Sequence, residues 1–166
     1  MSYGFKKEID LYSYLMENDR ILTSPSLEII LKKYYDKLSS NGITFRNINY
    51  KNLRQEVIPF HKVYNESNKG NWGFLPLSER EFRDTAELLE QFVPDNLMLF
   101  AEKDKKMIGF IVALPDLNQV FSHIRSGRLF PFGLFKYLYY KKKITKGRIL
   151  ILGILDEYRN KGVDLI

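Results

Sequence analysis

Residues 158–164, Tyr158-Arg159-Asn160-Lys161-Gly162-Val163-Asp164, place two cations and a glycine directly after a short apolar run. That run, Arg-Ile-Leu-Ile-Leu-Gly-Ile-Leu over 148–155, is bounded by turn signals and reads as a buried strand; Asp156 and Glu157 break it. The pattern predicts a strand, a tight polar turn and the start of a helix. The first N–H groups of a helix have no intrahelical partners and carry partial positive charge, so such a turn can hold an anion such as phosphate. Gly162 lets the backbone approach a ligand closely, because no Cβ stands in the way. The alternative is a surface turn rich in Arg and Lys.

Composition narrows the chemistry. The chain has 166 residues, suited to one domain, and its 45% hydrophobic content is enough for a core. It has no cysteine, which excludes disulfides, thiolate catalysis and cysteine metal sites. His61 and His123 are too few and too far apart to suggest a metal site, so none is expected. No stretch approaches the roughly 18 apolar residues of a transmembrane helix, and the N-terminal MSYGFKKEIDLY lacks a signal-peptide core. A soluble cytoplasmic protein without a membrane partner is the expectation. The net charge is +6, and Lys136, Lys141, Lys142, Lys143, Lys146 and Arg148 crowd one stretch. Such a cluster can meet nucleic acid, an anionic membrane or an anionic cofactor; a solvated helix end and loop explains it more simply.

The elements that must position the turn follow from periodicity. Residues 1–22 are a lead-in, with Gly4-Phe5, Tyr12 and Tyr14 suggesting an extended segment. Thr23-Ser24-Pro25 opens a helix to Ser39, ended by Asn41-Gly42. Ile43 to about Asn47 is a strand. A second helix runs from Asn49 to about Ser67, with a kink or break at Pro59. Asn71-Trp72-Gly73-Phe74 is an aromatic loop, and Ser78-Glu79-Arg80-Glu81 is a capping box that opens a helix to Gln91. Leu97–Lys103 and Lys106–Leu114 are strands joined at hairpin length by Asp104-Lys105. Leu117–Ile124 and Leu134–Tyr140 form two short helices within the segment from Pro115 to Lys146.

The run "LGILDEYRNKGVD" resembles the acetyl-CoA motif of the GNAT superfamily of N-acetyltransferases, a strand followed by Arg/Gln-x-x-Gly-x-Gly/Ala at a helix start. Arg159, Lys161 and Gly162 sit where the motif expects them, while Asp164 departs at the last small position and is unfavourable beside a pyrophosphate. The segments "NWGF", "LPDLNQ" and "GRLFPFG" are similar to one uncharacterised branch of GNAT-like proteins. The resemblance covers about Ile43 to Ile166. It implies an α/β (α+β) sandwich with a mainly antiparallel sheet, in which 1–41 is a lead-in segment and helix, 42–166 is an incomplete GNAT-like domain, and 115–146 is an inserted helical segment. It also implies acetyl-CoA as the ligand.

The implied roles follow. Backbone N–H groups of Gly153, Ile154 and Leu155 polarise the acetyl carbonyl. Arg159, Asn160, Lys161, Gly162 and Val163 hold the pyrophosphate. Glu102 and Asp116 are candidates for the general base, although each also reads as a plain surface or turn carboxylate. Asn118, Gln119 and Arg128 are polar groups among aromatics that can orient a substrate; Asn118 also reads as a helix cap and Arg128 as a surface ion pair. Trp72 and Phe74 fill a core or line a pocket. The inserted segment is expected to cap one end of the cleft with Phe130 and Phe132.

A GNAT domain continues past the cofactor helix, so the resemblance implies a chain lacking the C-terminal strands and helix. Such a chain is expected to bind acetyl-CoA weakly or not at all and not to turn over, and its unpaired strand edge invites self-association. The competing readings are a non-catalytic GNAT-like binding domain, with Asp164 spoiling the phosphate site, and a basic nucleic-acid-binding module, which no recognised motif supports. The acceptor amine is not named by any of these residues.

Overall fold

The computed structural model describes residues 4, 6–10, 16, 17, 25–124, 128, 130 and 132–165. Phe5, Tyr12, Tyr14, Thr23 and Ser24 lie outside the described residues, as does the helix cap read from Thr23 and Ser24; of the lead-in segment 1–22, residues 4, 6–10, 16 and 17 are described. Five strands form one sheet in the order β1-β5-β4-β3-β2, with every neighbouring pair antiparallel. They are β1 (Met16–Glu17), β2 (Ile43–Asn47), β3 (Met98–Lys103), β4 (Lys106–Pro115) and β5 (Lys146–Ile154). The four long strands are those expected, within two residues at each end. β3 and β4 close through Asp104 and Lys105, both at positive φ (50° and 63°), the mirror-image turn whose twist matches a hairpin.

Two helices cover one face of the sheet. They are α2 (Leu53–Asn68) and α3 (Glu79–Glu90), and Val57, Phe60, Val63, Phe82 and Ala86 pack on Met98, Phe100, Phe110 and Val112. The Phe60 ring meets those of Phe82, Phe100 and Phe110 at 4.8–5.0 Å between centroids. α3 starts at the capping box: the Ser78 N–H donates to Glu81 Oε2 at 2.9 Å, and the Glu81 N–H donates to Ser78 Oγ at 3.3 Å.

On the opposite face α1 (Pro25–Ser40) brings Leu38 against Ile43, Ala101, Ile108, Ile154 and Val163. Both faces of the central strands are therefore buried, as an α/β sandwich requires. The break expected at Pro59 does not occur: α2 runs through it. Proline removes one bond, to the carbonyl of Gln55, but Gln55 is exposed to water. Burial of Val57, Phe60 and Val63 on either side outweighs that loss.

The segment between β4 and β5 holds two short helices, α4 (Asn118–Phe121) and α5 (Phe132–Lys141), packed on each other. Among the described residues no helix is long and apolar enough to cross a membrane.

Candidate functional site

The site is built at the C-terminal end of β5. Residues of an antiparallel strand send N–H and C=O alternately to either side. Gly153 pairs with Phe110 on β4, and the Leu155 N–H donates to Ile108 O at 2.9 Å. Gly153 and Leu155 are therefore used by the ladder, and the Ile154 peptide groups face the other edge. β1 covers that edge only opposite Lys146 and Gly147. Of the three N–H groups expected to polarise a carbonyl, the Leu155 N–H is already committed to the sheet, and Ile154 is the one that faces outward.

The turn after β5 is a chain of special backbone conformations. Asp156–Tyr158 is a 3₁₀ turn, Arg159 is extended (φ −64°, ψ 153°), and Asn160 and Gly162 have φ +58° and +84°. The helix expected next is, in the described residues, a single 3₁₀ turn, Val163–Leu165, closed by the Leu165 N–H donating to Gly162 O at 3.3 Å. Among the described residues, none accepts a hydrogen bond from the N–H groups of Asn160, Lys161, Gly162 or Val163. Lys161 Nζ lies 5.1 Å from the centroid of the Tyr158 ring and Lys103 Nζ 5.9 Å from it, which adds positive charge around the turn.

Gly162 is also a packing position. A Cβ there would lie 2.9 Å from Cδ1 of Tyr34, so α1 flanks the turn and only a glycine admits it. Asp164 is exposed and borders a small apolar depression of about 40 Å³ with Ile154 and Val163.

Arg159 is engaged within the protein. Its Nη2 donates to Ser67 O at 2.7 Å, its Nε to Ile154 O at 3.4 Å, and Nε pairs with Asp156 Oδ1 at 3.1 Å. A cation is favoured at the carbonyl end of a helix, and Ser67 is next to last in α2. The side chain thus fastens the turn to the C-terminus of α2.

The same helix end explains Gly153. A Cβ on Gly153 would overlap Ser67 Oγ and lie 2.5 Å from Cε1 of Phe110. Ser67 and Asn68 are buried (3% and 4% exposed). Asn68 Nδ2 donates to Tyr64 O at 2.8 Å, and Asn68 Oδ1 accepts from Asn71 Nδ2 at 2.8 Å. That network anchors the "NWGF" loop, whose Trp72 is 63% exposed and so does not fill the core. Phe74 does pack, 5.6 Å from the Tyr64 ring.

The two carboxylate candidates have other partners. Glu102 Oε1 accepts from Arg46 Nε at 2.8 Å, and Arg46 also bonds Glu56 Oε1 and Oε2 at 2.7 and 2.9 Å. The Glu56 hydrogen bond, set against desolvation and joined by Glu102, raises the Arg46 pKa above its ordinary value. Glu102 sits two strands from β5, roughly 10 Å across the sheet. The pattern hid this triad, although Glu56 on the apolar stripe of Leu53, Val57 and Phe60 was a signal for it. Asp116 Oδ1 accepts from the Asn118 N–H at 3.1 Å and so caps the turn into α4.

The inserted segment does not cap the turn. Asp116 donates its N–H to Lys146 O at 2.9 Å, so the segment closes on the start of β5. Arg159 follows the end of β5, and nine extended residues separate the two ends by about 25 Å. Asn118 and Arg128, both exposed, lie with the segment and away from the turn, and Phe130 and Phe132 point to solvent (72% and 75% exposed). The antiparallel return from β4 to β5 decides this placement. Among the described residues no group of three His, Cys, Asp or Glu is placed to hold a metal.

The chain is 34% identical over 158 residues to protein YghO of Escherichia coli, an alignment covering 94% of this chain and 39% of YghO. It is 30% identical over 158 residues to the bacterial ceramide synthase of Caulobacter vibrioides, covering 94% of this chain and 40% of that protein. The chain spans about two-fifths of the length of these curated relatives. Among solved structures it is similar in fold to a mosquito arylalkylamine N-acetyltransferase-like 5b protein (18% identity, TM-score 0.40, 73% of this chain and 65% of that one). A mutant agmatine N-acetyltransferase in its apo form is a second (15%, 0.42, 74% and 64%). No family model matches the chain.

Proposed function

We propose that this chain forms the acyl-CoA-binding part of an N-acyltransferase, with acetyl-CoA as the simplest donor. The observation that carries the reading is the row of N–H groups from Asn160 to Val163 that no described residue takes up, directly after a strand whose Ile154 N–H faces away from β4. Peptide groups so arranged suit phosphate oxygens, and Lys161 adds charge beside them. The relative named as a ceramide synthase supports the class, since a ceramide is an amide of a fatty acid and an amine.

In such a reaction the amine nitrogen bonds to the thioester carbonyl carbon and gives up a proton, the C–S bond breaks, and the departing thiolate takes up a proton to become the free thiol. This chain supplies the turn that holds the diphosphate and the Ile154 N–H that can donate to the carbonyl oxygen as it gains negative charge. Arg159 and Gly153 position both by fixing the turn and β5 to α2.

Isothermal titration tests this with acetyl-CoA and, separately, palmitoyl-CoA. We expect binding of at least one ester, weakened about ten-fold by Lys161→Glu. Asp164→Gly is expected to tighten it by removing a carboxylate near phosphate. Absence of heat with both esters, from protein whose circular dichroism shows it folded, would refute the reading.

A further inference from the structure

Between Leu117 and Leu155 lie eight of the 26 basic residues and none of the 20 acidic ones. This stretch is net +8 in a chain of net +6, so the remainder is net −2. Lys136 and Lys141 stand on α5, and Lys142 and Lys143 follow directly after it. α5 packs its inner side on the α4 region: His123 stacks on Tyr140 at 3.7 Å between centroids and Phe121 on Tyr137 at 6.5 Å. Gly133 is buried there, because a Cβ would overlap Arg128 O.

The outer side is apolar and exposed. Phe132, Phe135 and Tyr139 recur at i, i+3 and i+7, with Leu138 alongside, and their exposures are 75%, 70%, 57% and 54%. Phe130, 72% exposed, extends the stripe. Lysines border it. Lys143 Nζ donates to the Tyr139 hydroxyl at 2.7 Å and lies 4.2 Å from the centroid of the same ring. Lys141 Nζ is 5.8 Å from the Tyr137 centroid, and Lys136 and Lys142 are also exposed.

We propose that α5 and the preceding Phe130 dock this protein in the interface of an anionic phospholipid bilayer. A short helix with an apolar stripe, aromatic residues and lysine borders lies flat at the headgroup level: its rings enter the acyl boundary and its ammonium groups remain among the phosphates. Charge complementarity selects the occupant. The stripe lies within a stretch, Leu117 to Leu155, whose charged residues are all cations, which suits a surface of negative headgroups and disfavours a neutral one. Leu138 has no π-face and the rings follow a helix edge instead of a flat platform, so single-stranded nucleic acid, which stacks base upon ring, fits less well. That no helix among the described residues is long and apolar enough to cross a membrane is compatible with this peripheral mode, which departs from the expectation of no membrane partner. The argument stands on the patch and does not depend on acyl transfer.

Sedimentation with vesicles tests it. The full chain is mixed with vesicles of phosphatidylcholine containing roughly one-third phosphatidylglycerol, or of phosphatidylcholine alone. Binding to the anionic vesicles is expected, and neutral vesicles should bind at least about ten-fold more weakly. Phe132→Ser with Phe135→Ser removes two exposed rings without touching the core and should reduce binding about ten-fold. Neutralising Lys141 and Lys142 to Gln should cost about five-fold per lysine. As a second readout, Phe135→Trp in a Trp72→Phe background should shift its emission to the blue and be quenched by brominated acyl chains. Equal affinity for neutral and anionic vesicles, unchanged binding by the Phe variant, or unshifted tryptophan emission would each overturn the proposal. So would binding to single-stranded oligonucleotides at the same salt without binding to vesicles.

Discussion

Arg159 Nη2 donates a 2.7 Å hydrogen bond to the carbonyl of Ser67, a residue 92 positions earlier in the chain. Through it the turn that ends β5 is held to the C-terminus of α2. Arg159→Ala removes a charged donor from a helix end and is expected to destabilise the fold by about 1–2 kcal/mol. Arg159→Lys should recover part of that. Hydrogen exchange distinguishes local from global loss: the amides of Asn160 to Val163 should exchange faster in the Ala variant while those of β3 and β4 do not.

Gly153 is required by the same contact. Gly153→Ala forces its new methyl group into Ser67 Oγ and the Phe110 ring, so α2 must lift from β5. We expect a loss of about 2–3 kcal/mol in urea unfolding. Gly70→Ala is the control, because nothing lies within 4 Å of a Cβ there; it should stay within about 0.5 kcal/mol of the parent. Equal stability of the Gly153 variant and the parent would show that the helix end yields freely.

Tyr50 gives an alkaline test of the fold. Its hydroxyl donates to Val93 O at 2.8 Å. Burial foremost, then the nearby Glu90 and Asp95 carboxylates, pushes its pKa up from 10.0 to about 12. The folded protein thus holds the phenol proton more tightly than the unfolded chain does. The associated stability is complete below pH 10 and is lost as pH rises toward 12. Tyr50→Phe should cost about 1 kcal/mol at neutral pH. In thermal melts across that range it should also show a shallower alkaline decline than the parent.

Elements whose causes are local could be read from the residues alone. The apolar runs and β-branched residues placed the four long strands, Ser78 and Glu81 marked the start of α3, and the length of Asp104-Lys105 marked a hairpin. Each depends on contacts within a few residues or on burial repeated at a fixed spacing. The turn after β5 was legible for the same reason, since the positive φ of Gly162 is a property of its own backbone.

Tertiary structure alone decided which donors stay open and which side chains are already paired. The commitment of Leu155 to Ile108, of Arg159 to Ser67 and of Glu102 to Arg46 all join segments far apart in the chain. Nothing local distinguishes those residues from unpaired ones. The closing of the inserted segment on the start of β5, the end away from the turn, likewise follows from strand order and direction. An apolar helix also reads the same in sequence whether its rings are covered or exposed. Only packing shows that α5 turns Gly133, Tyr137 and Tyr140 inward and leaves Phe132 and Phe135 in water.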